Sequence, residues 1–200
     1  MRHIIVAMLM PAALCAQSAQ GAQQANHRTL PADLQIRLAL QAAPAPMRDS
    51  ATVQGWAANG SFVTLRQGSN SMICVGPDPA VTERLEVTCH HRDLEAFLAR
   101  GRALAAQGVT GERRTRARWD EMAAGTLALP GGTVNSILTG TSFDSTTGAI
   151  RDPYIRWVIY VPNATGASTG LSEIPAGPGA PWLMFAGTQG AHIMISPTRR

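Results

Sequence analysis

The chain has 200 residues, 45% of them hydrophobic and 15% charged, with a formal net charge of +4 and three cysteines. That length and apolar content exclude a disordered chain and suit one domain, while three cysteines are too few for a disulfide-built scaffold. All 17 basic residues are arginine, a usage that a genome rich in G and C explains, so the high pI is no argument for a polyanion and no nucleic acid partner is expected.

The first residues have three parts. Met1-Arg2-His3 is a short basic start, Ile4 to Leu14 is apolar apart from Pro11, and a zone of small residues begins at Cys15. This is the pattern of a secretory signal, with small residues at −3 and −1 for a cut after Ser18 or after Gly21. A membrane anchor needs roughly twenty apolar residues, and this run is shorter. Lipid attachment at Cys15 would want a Leu three residues before it and a small residue next to it, whereas Ala12-Ala13-Leu14 precedes it. Residues 1–22 therefore read as a signal peptide cut between Cys15 and Ala22, with a periplasmic or secreted product that has no transmembrane segment.

Residues 23–46 read as a polar leader followed by a helix from Leu30 to about Ala42, with Pro31 in its first turn and Ala43-Pro44-Ala45-Pro46 as its stop. Residues 47–200 read as a single α+β domain with a mostly antiparallel sheet of seven or eight strands. Ala51–Trp56, Gly60–Arg66 and Ser71–Val75 are short β-rich runs separated by turn compositions, which predicts an antiparallel meander. Arg84–Cys89 returns as a fourth strand. His91–Gln107 carries Leu94, Phe97, Leu98, Gly101, Leu104 and Ala105 on one stripe, with Asp93 and Glu95 in the first turn, and predicts the best helix of the chain. A second helix runs from Gly111 to about Ala124, and the pair should cover one face of the sheet. Val134–Thr139, Tyr154–Val161, Trp182–Phe185 and Ala191–Ile195 complete the strands. The Gly- and Pro-rich stretch Pro162–Pro181 is long enough for a loop to be functional.

Residues that could carry chemistry are few. Cys89-His90-His91-Arg92-Asp93-Leu94-Glu95 places two imidazoles and two carboxylates at a strand-to-helix junction, where His90, His91 and Asp93 could do acid/base work or approach a metal. The same residues also serve a plain structural role, the acids on the helix dipole, one histidine packed and the other in water. No His-Glu-x-x-His pattern or other metal signature is present, so no cofactor is expected. His192, with Met194, occupies one face of the last strand, and Ile193 and Ile195 the other. It reads as a hydrogen-bonded structural histidine unless His90 or His91 comes within reach. Gly166-Ala-Ser-Thr-Gly170 matches a nucleophile elbow, but Leu171-Ser-Glu-Ile-Pro175 follows where a helix is needed. Asn163-Ala164-Thr165 is only formally a glycosylation acceptor. The six arginines from Arg100 to Arg118 read as a solvated helix face, with no aromatic platform interleaved.

Cys74 and Cys89 are the cysteines left after processing, and an oxidising compartment predicts a disulfide between them. A turn centred on Ala80 would set Cys74 opposite Glu86, so the bridge requires that turn to shift by one or two residues.

Several of these segments together resemble a group of exported bacterial proteins whose activity is uncharacterised. They are Cys74 with Pro77-Asp78, the Cys89–Phe97 junction, Tyr160-Val161-Pro162, Thr169-Gly170-Leu171-Ser172, Pro181–Met184 with Gly187-Thr188, and the Ala191–Ile195 strand. The resemblance spans about residues 45 to 198 and implies a shared fold and export, with no activity attached. The expected function is non-catalytic binding of a small molecule or a protein partner through the Pro162–Pro181 loop and the adjoining sheet face. The alternative is a metal-assisted or histidine-based hydrolase using His90, His91, Asp93 and His192.

Overall fold

The computed structural model describes residues 29–81 and 83–199. The signal peptide and nearly all of the polar leader lie outside them. Ten strands form in chain order: β1 Thr52–Trp56, β2 Phe62–Arg66, β3 Met72–Val75, β4 Leu85–His91, β5 Val134–Gly140, β6 Ser142–Phe143, β7 Ile150–Arg151, β8 Tyr154–Tyr160, β9 Trp182–Met184 and β10 His192–Ile195. The helices are α1 Ala32–Leu40, α2 Glu95–Ala106, α3 Gly111–Ala123 and the single turn α4 Gly166–Thr169. Eight strands make one mixed sheet in the order β2-β1-β3-β4-β5-β8-β10-β9, and β6 and β7 form a separate small hairpin. The fold is α+β and mostly antiparallel, as the alternation and helical stripes predict.

The predicted meander is not formed. β1 lies between β2 and β3, and it runs parallel to β3, with Val53 opposite Cys74. After β2 the chain crosses past the start of β1, where Ser69 and Asn70 donate their backbone N–H groups to the Ser50 carbonyl and Asn70 Nδ2 donates to Met47 O at 2.7 Å. Gly68 makes the crossing possible. A Cβ there would stand 2.3 Å from the Ala51 carbonyl carbon and the Thr52 nitrogen.

The two faces of the sheet differ. One carries Val53, Cys74, Leu85, Val87, Cys89 and Leu138, packed beneath Leu34, Leu38 and Ala39 of α1 as the main core. α1 is therefore part of the core of the domain. On this face Ser136 is satisfied by donating to Ala42 O at 2.7 Å, and Cys74 and Cys89 are bridged in directly opposed positions. That register is centred one to two residues beyond Ala80, which is the shift that the bridge requires.

The opposite face meets α2 and α3. Arg100 joins them by a forked pair of bonds to Glu121, from Nη2 at 2.6 Å and from Nε at 2.9 Å. Leu94, Phe97 and Leu129 form a smaller buried cluster there, with Leu98, Met122 and Tyr160 against it. Ile193 and Ile195 point to the α1 side, as alternation predicts, but they lie beyond the main core and stay half-buried. The Pro162–Pro181 stretch is not structureless. Thr165 and Ser168 form a reciprocal cap on α4, which ends at Gly170 with φ 73°, and Glu173 accepts from Gly166 N–H at 2.7 Å.

Candidate functional site

The sheet face beneath the helix pair is rich in polar residues. Pairing places Thr88 opposite Ile137, His90 opposite Asn135, and Tyr160 opposite His192, so strand alternation turns all of them toward α2 and α3. Above them α3 offers an unusual stripe. Arg114, Arg118 and Met122 recur at four-residue spacing, which brings them onto one side of the helix. Met122 joins the small apolar cluster. The two arginines instead line a cavity of about 850 Å³ with Thr88, Asn135, Ile137 and Tyr160 of the sheet and Leu98, Gly101 and Arg102 of α2.

Arg118 lies over the Phe97 ring, its guanidinium carbon 4.2 Å from the centroid. Gly101 supplies the room, since a Cβ there would approach Arg118 Nη1 to 3.2 Å. A glycine in mid-helix costs roughly 1 kcal/mol relative to alanine, and this one is kept where the guanidinium crosses the helix. The Nε groups of Arg114 and Arg118 are buried and have no acceptor. Neither arginine forms an ion pair among the described residues. Burial is the main influence holding Arg118 below its ordinary pKa; Tyr160 opposes it, and the like charge of Arg114 adds to it. Burial likewise pushes the Tyr160 phenol up, against the pull of Arg118. Asn135 is only 6% exposed, and its Oδ1 has no donor.

The histidine cluster serves local structure. His90 is fully buried, and its Nε2 donates to the Glu95 carboxylate at 2.8 Å, which Arg102 also grips. Burial would raise the Glu95 pKa, but the bond from His90 and the charge of Arg102 hold it below its usual value. His91 caps the turn that leads into α2, accepting from Asp93 N–H on Nδ1. His192 packs at 5.6 Å from the rings of both Tyr160 and Phe185, and its Nδ1 donates to Gly190 O at 2.8 Å. Phe185, half exposed and at φ 56°, packs in turn on Trp119 of α3.

His91 Nδ1 lies 3.5 Å from Asp93 Oδ2, while His90 turns away from both to Glu95. His192 stands on β10, three strands from His90 on β4, a separation of about 14 Å at the usual inter-strand spacing. Among the described residues no group of three or more His, Cys, Asp or Glu side chains could hold a metal ion, and no helix is long and apolar enough to cross a membrane. Ser168 Oγ is engaged in the α4 cap, donating to Thr165 O and accepting from Thr165 N–H.

No family model, curated protein or solved structure matches the chain. Its site is therefore read from its own residues. Those that line the cavity were not legible as a set, because Thr88, Asn135 and Tyr160 look like ordinary members of alternating strands. The signal that could have found them is the 114/118/122 stripe, which sets two arginines in line with an apolar residue facing the core.

Proposed function

We propose that this chain is an exported, non-catalytic binding protein that takes a small molecule into the cavity between the helix pair and the sheet. The observation that carries this reading is the set of buried polar groups without partners at one cavity: Arg114, Arg118 and Asn135. Buried polar atoms without partners are costly, at about 1–3 kcal/mol each, and a ligand that completes their bonds supplies the reason for keeping them. The hydrolase alternative needs His90 or His91 beside His192, and their separation across the sheet speaks against it. Binding through the Pro162–Pro181 loop has less support, because that segment is bonded to itself and does not line the cavity. Export draws its support from the tripartite N-terminus and the buried disulfide, and the resemblance to the exported bacterial group agrees with it.

Thermal denaturation of the purified chain against a panel of small charged and neutral compounds tests the reading. Thr88→Trp, which fills the cavity from the sheet side, is the control. Compounds of one chemical class are expected to raise the melting temperature of the wild type and leave the variant unchanged. A panel without effect, or equal shifts in both proteins, would overturn it.

A further inference from the structure

We infer that the ligand is a small organic oxyanion with an apolar body, its charged group held by Arg114 and Arg118 at the Tyr160 end of the cavity. This rests on the small-molecule reading above and adds the ligand's chemistry.

The first argument is charge balance. Four arginines line the cavity, and Arg84 is paired with Glu86. Arg102 is neutralised by Glu95, which leaves Arg114 and Arg118 without a carboxylate. An arginine stays protonated in a protein even when burial weakens it, so this end carries two uncompensated positive charges one helical turn apart. Guanidinium groups match planar oxyanions by paired N–H donors, and each buried Nε adds a donor that nothing in the chain accepts.

Acids line the cavity as well, but elsewhere. Asp78, Glu83 and Glu86 belong to the segment joining β3 and β4 and to the start of β4. Arg84 already holds Glu86, at 2.9 Å, and Asp78 Oδ1 accepts from Ala80 N–H. Along the sheet, the level of His90 and Asn135 is four residues from that of Glu86, and Tyr160 lies two residues further on. At strand rise this is about 20 Å, which sets Glu86 far from the Tyr160 end, and among the described residues no carboxylate forms an ion pair with Arg114 or Arg118.

The second argument concerns the rest of the ligand. Leu98 and Ile137 offer apolar wall between the two ends, which an inorganic ion would leave wet. Asn135 is nine-tenths buried with an orphaned Oδ1, and it asks for a hydroxyl or N–H donor, from the ligand or from a water that the ligand traps. An oxyanion on an apolar frame meets both requirements.

Calorimetric titration of the purified full chain at low ionic strength, with benzoate, its neutral counterpart benzamide, and inorganic phosphate as probes, tests this. Benzoate is expected to bind at least tenfold more tightly than benzamide, and Arg114→Gln and Arg118→Gln are each expected to weaken it at least tenfold. The melting temperature of each unliganded variant reports folding, and is expected to equal or exceed that of the wild type because a buried guanidinium without an acceptor has been removed. Phosphate binding more tightly than benzoate would overturn the apolar body. Benzamide binding as well as benzoate, or variants that bind benzoate like the wild type, would overturn the oxyanion. A neutral compound that binds the wild type and is excluded by Thr88→Trp would sink the oxyanion and leave the small-molecule cavity standing; no binding by any compound would sink both.

Discussion

Gln35 of α1 acts as a missing strand for Trp56 of β1. Its Oε1 accepts from the Trp56 N–H and its Nε2 donates to the Trp56 carbonyl, both at 2.9 Å. β3 has ended by this point, its last pair with β1 being Gln54 and Val75. The side chain is 1% exposed, so these bonds are shielded from water. Gln35→Ala is expected to destabilise the fold by about 3 kcal/mol, because two buried backbone groups lose their partner. Urea denaturation measures it, and an unchanged midpoint would refute the relationship.

The disulfide gives a second expectation. Cys74 and Cys89 close a loop of 15 residues, and both are fully buried. Replacing both with alanine should cost about 3 kcal/mol. Reductant should act only as fast as the protein opens, since no thiol can reach a buried bridge directly. Peptide mapping without reduction is expected to return residues 74 and 89 in one crosslinked fragment, and free thiols at these positions in the denatured protein would contradict the pairing.

His192 and Glu95 both make stability fall with acid. Burial holds the folded pKa of His192 below its ordinary value of 6.5, against a smaller upward pull from Gly190. The unfolded chain therefore binds a proton first as pH falls. Stability is complete above the unfolded value and is lost as pH falls toward and through the folded one. Glu95 adds a second loss at lower pH, beginning near its ordinary value of 4.5 and complete below its depressed folded value. His192→Phe is expected to flatten the upper step and leave the lower one, as read by melting temperature between pH 7.5 and 3. His192→Ala, which removes the ring from between Tyr160 and Phe185, should cost about 1–3 kcal/mol at neutral pH.

Gly68 tests the strand order. A methyl group there would meet backbone atoms of Ser50, Ala51 and Thr52, all within 2.4 Å, and backbone cannot step aside as a side chain can. Gly68→Ala should cost about 2–3 kcal/mol, the upper range for overpacking. Gly60 provides the comparison. It has open space around it but a φ of 80°, so Gly60→Ala should cost only the smaller penalty of left-handed backbone, about 1 kcal/mol.

Export predicts a single cut between Cys15 and Ala22. Mass spectrometry of the protein recovered from its native host checks this, and a product that keeps Met1 or carries lipid on Cys15 would refute it.

The elements were legible in the sequence wherever periodicity was strong, although the helix expected from His91 opens with a 3-10 turn, Arg92–Leu94, before α2 begins at Glu95. The stripe from Leu94 to Leu104 became α2, and the alternation at Tyr154–Tyr160 became β8. The order of the first strands was not legible, because alternation defines which side of a strand is buried and is silent about which neighbour it pairs with. The crossover depends on one close approach at Gly68, and a glycine in a turn looks the same whether it crosses a strand or merely reverses the chain. Arg113 and Arg116 of α3 are exposed, as a solvated face requires, whereas Arg114 and Arg118 turn inward, which was not legible for a related reason. Spacing of four residues marks a common face, but a charged face reads as solvated until something opposite it is known to be polar too. Here that something is Asn135 and Tyr160, contributed by strands far along the chain.

The strand order carries a consequence for biogenesis. Proceeding from the N-terminus, β2 joins β1, β3 joins β1 on its other side, and β4, β5, β8 and β10 each join the strand that precedes them in the growing sheet. A chain emerging N-terminus first on the far side of a membrane thus finds a ready template for nearly every new strand, and the sheet can extend vectorially in one direction. β9 alone waits for a later partner, and it ends as an outer strand of three residues. So short a margin offers little purchase for edge-to-edge association of finished molecules.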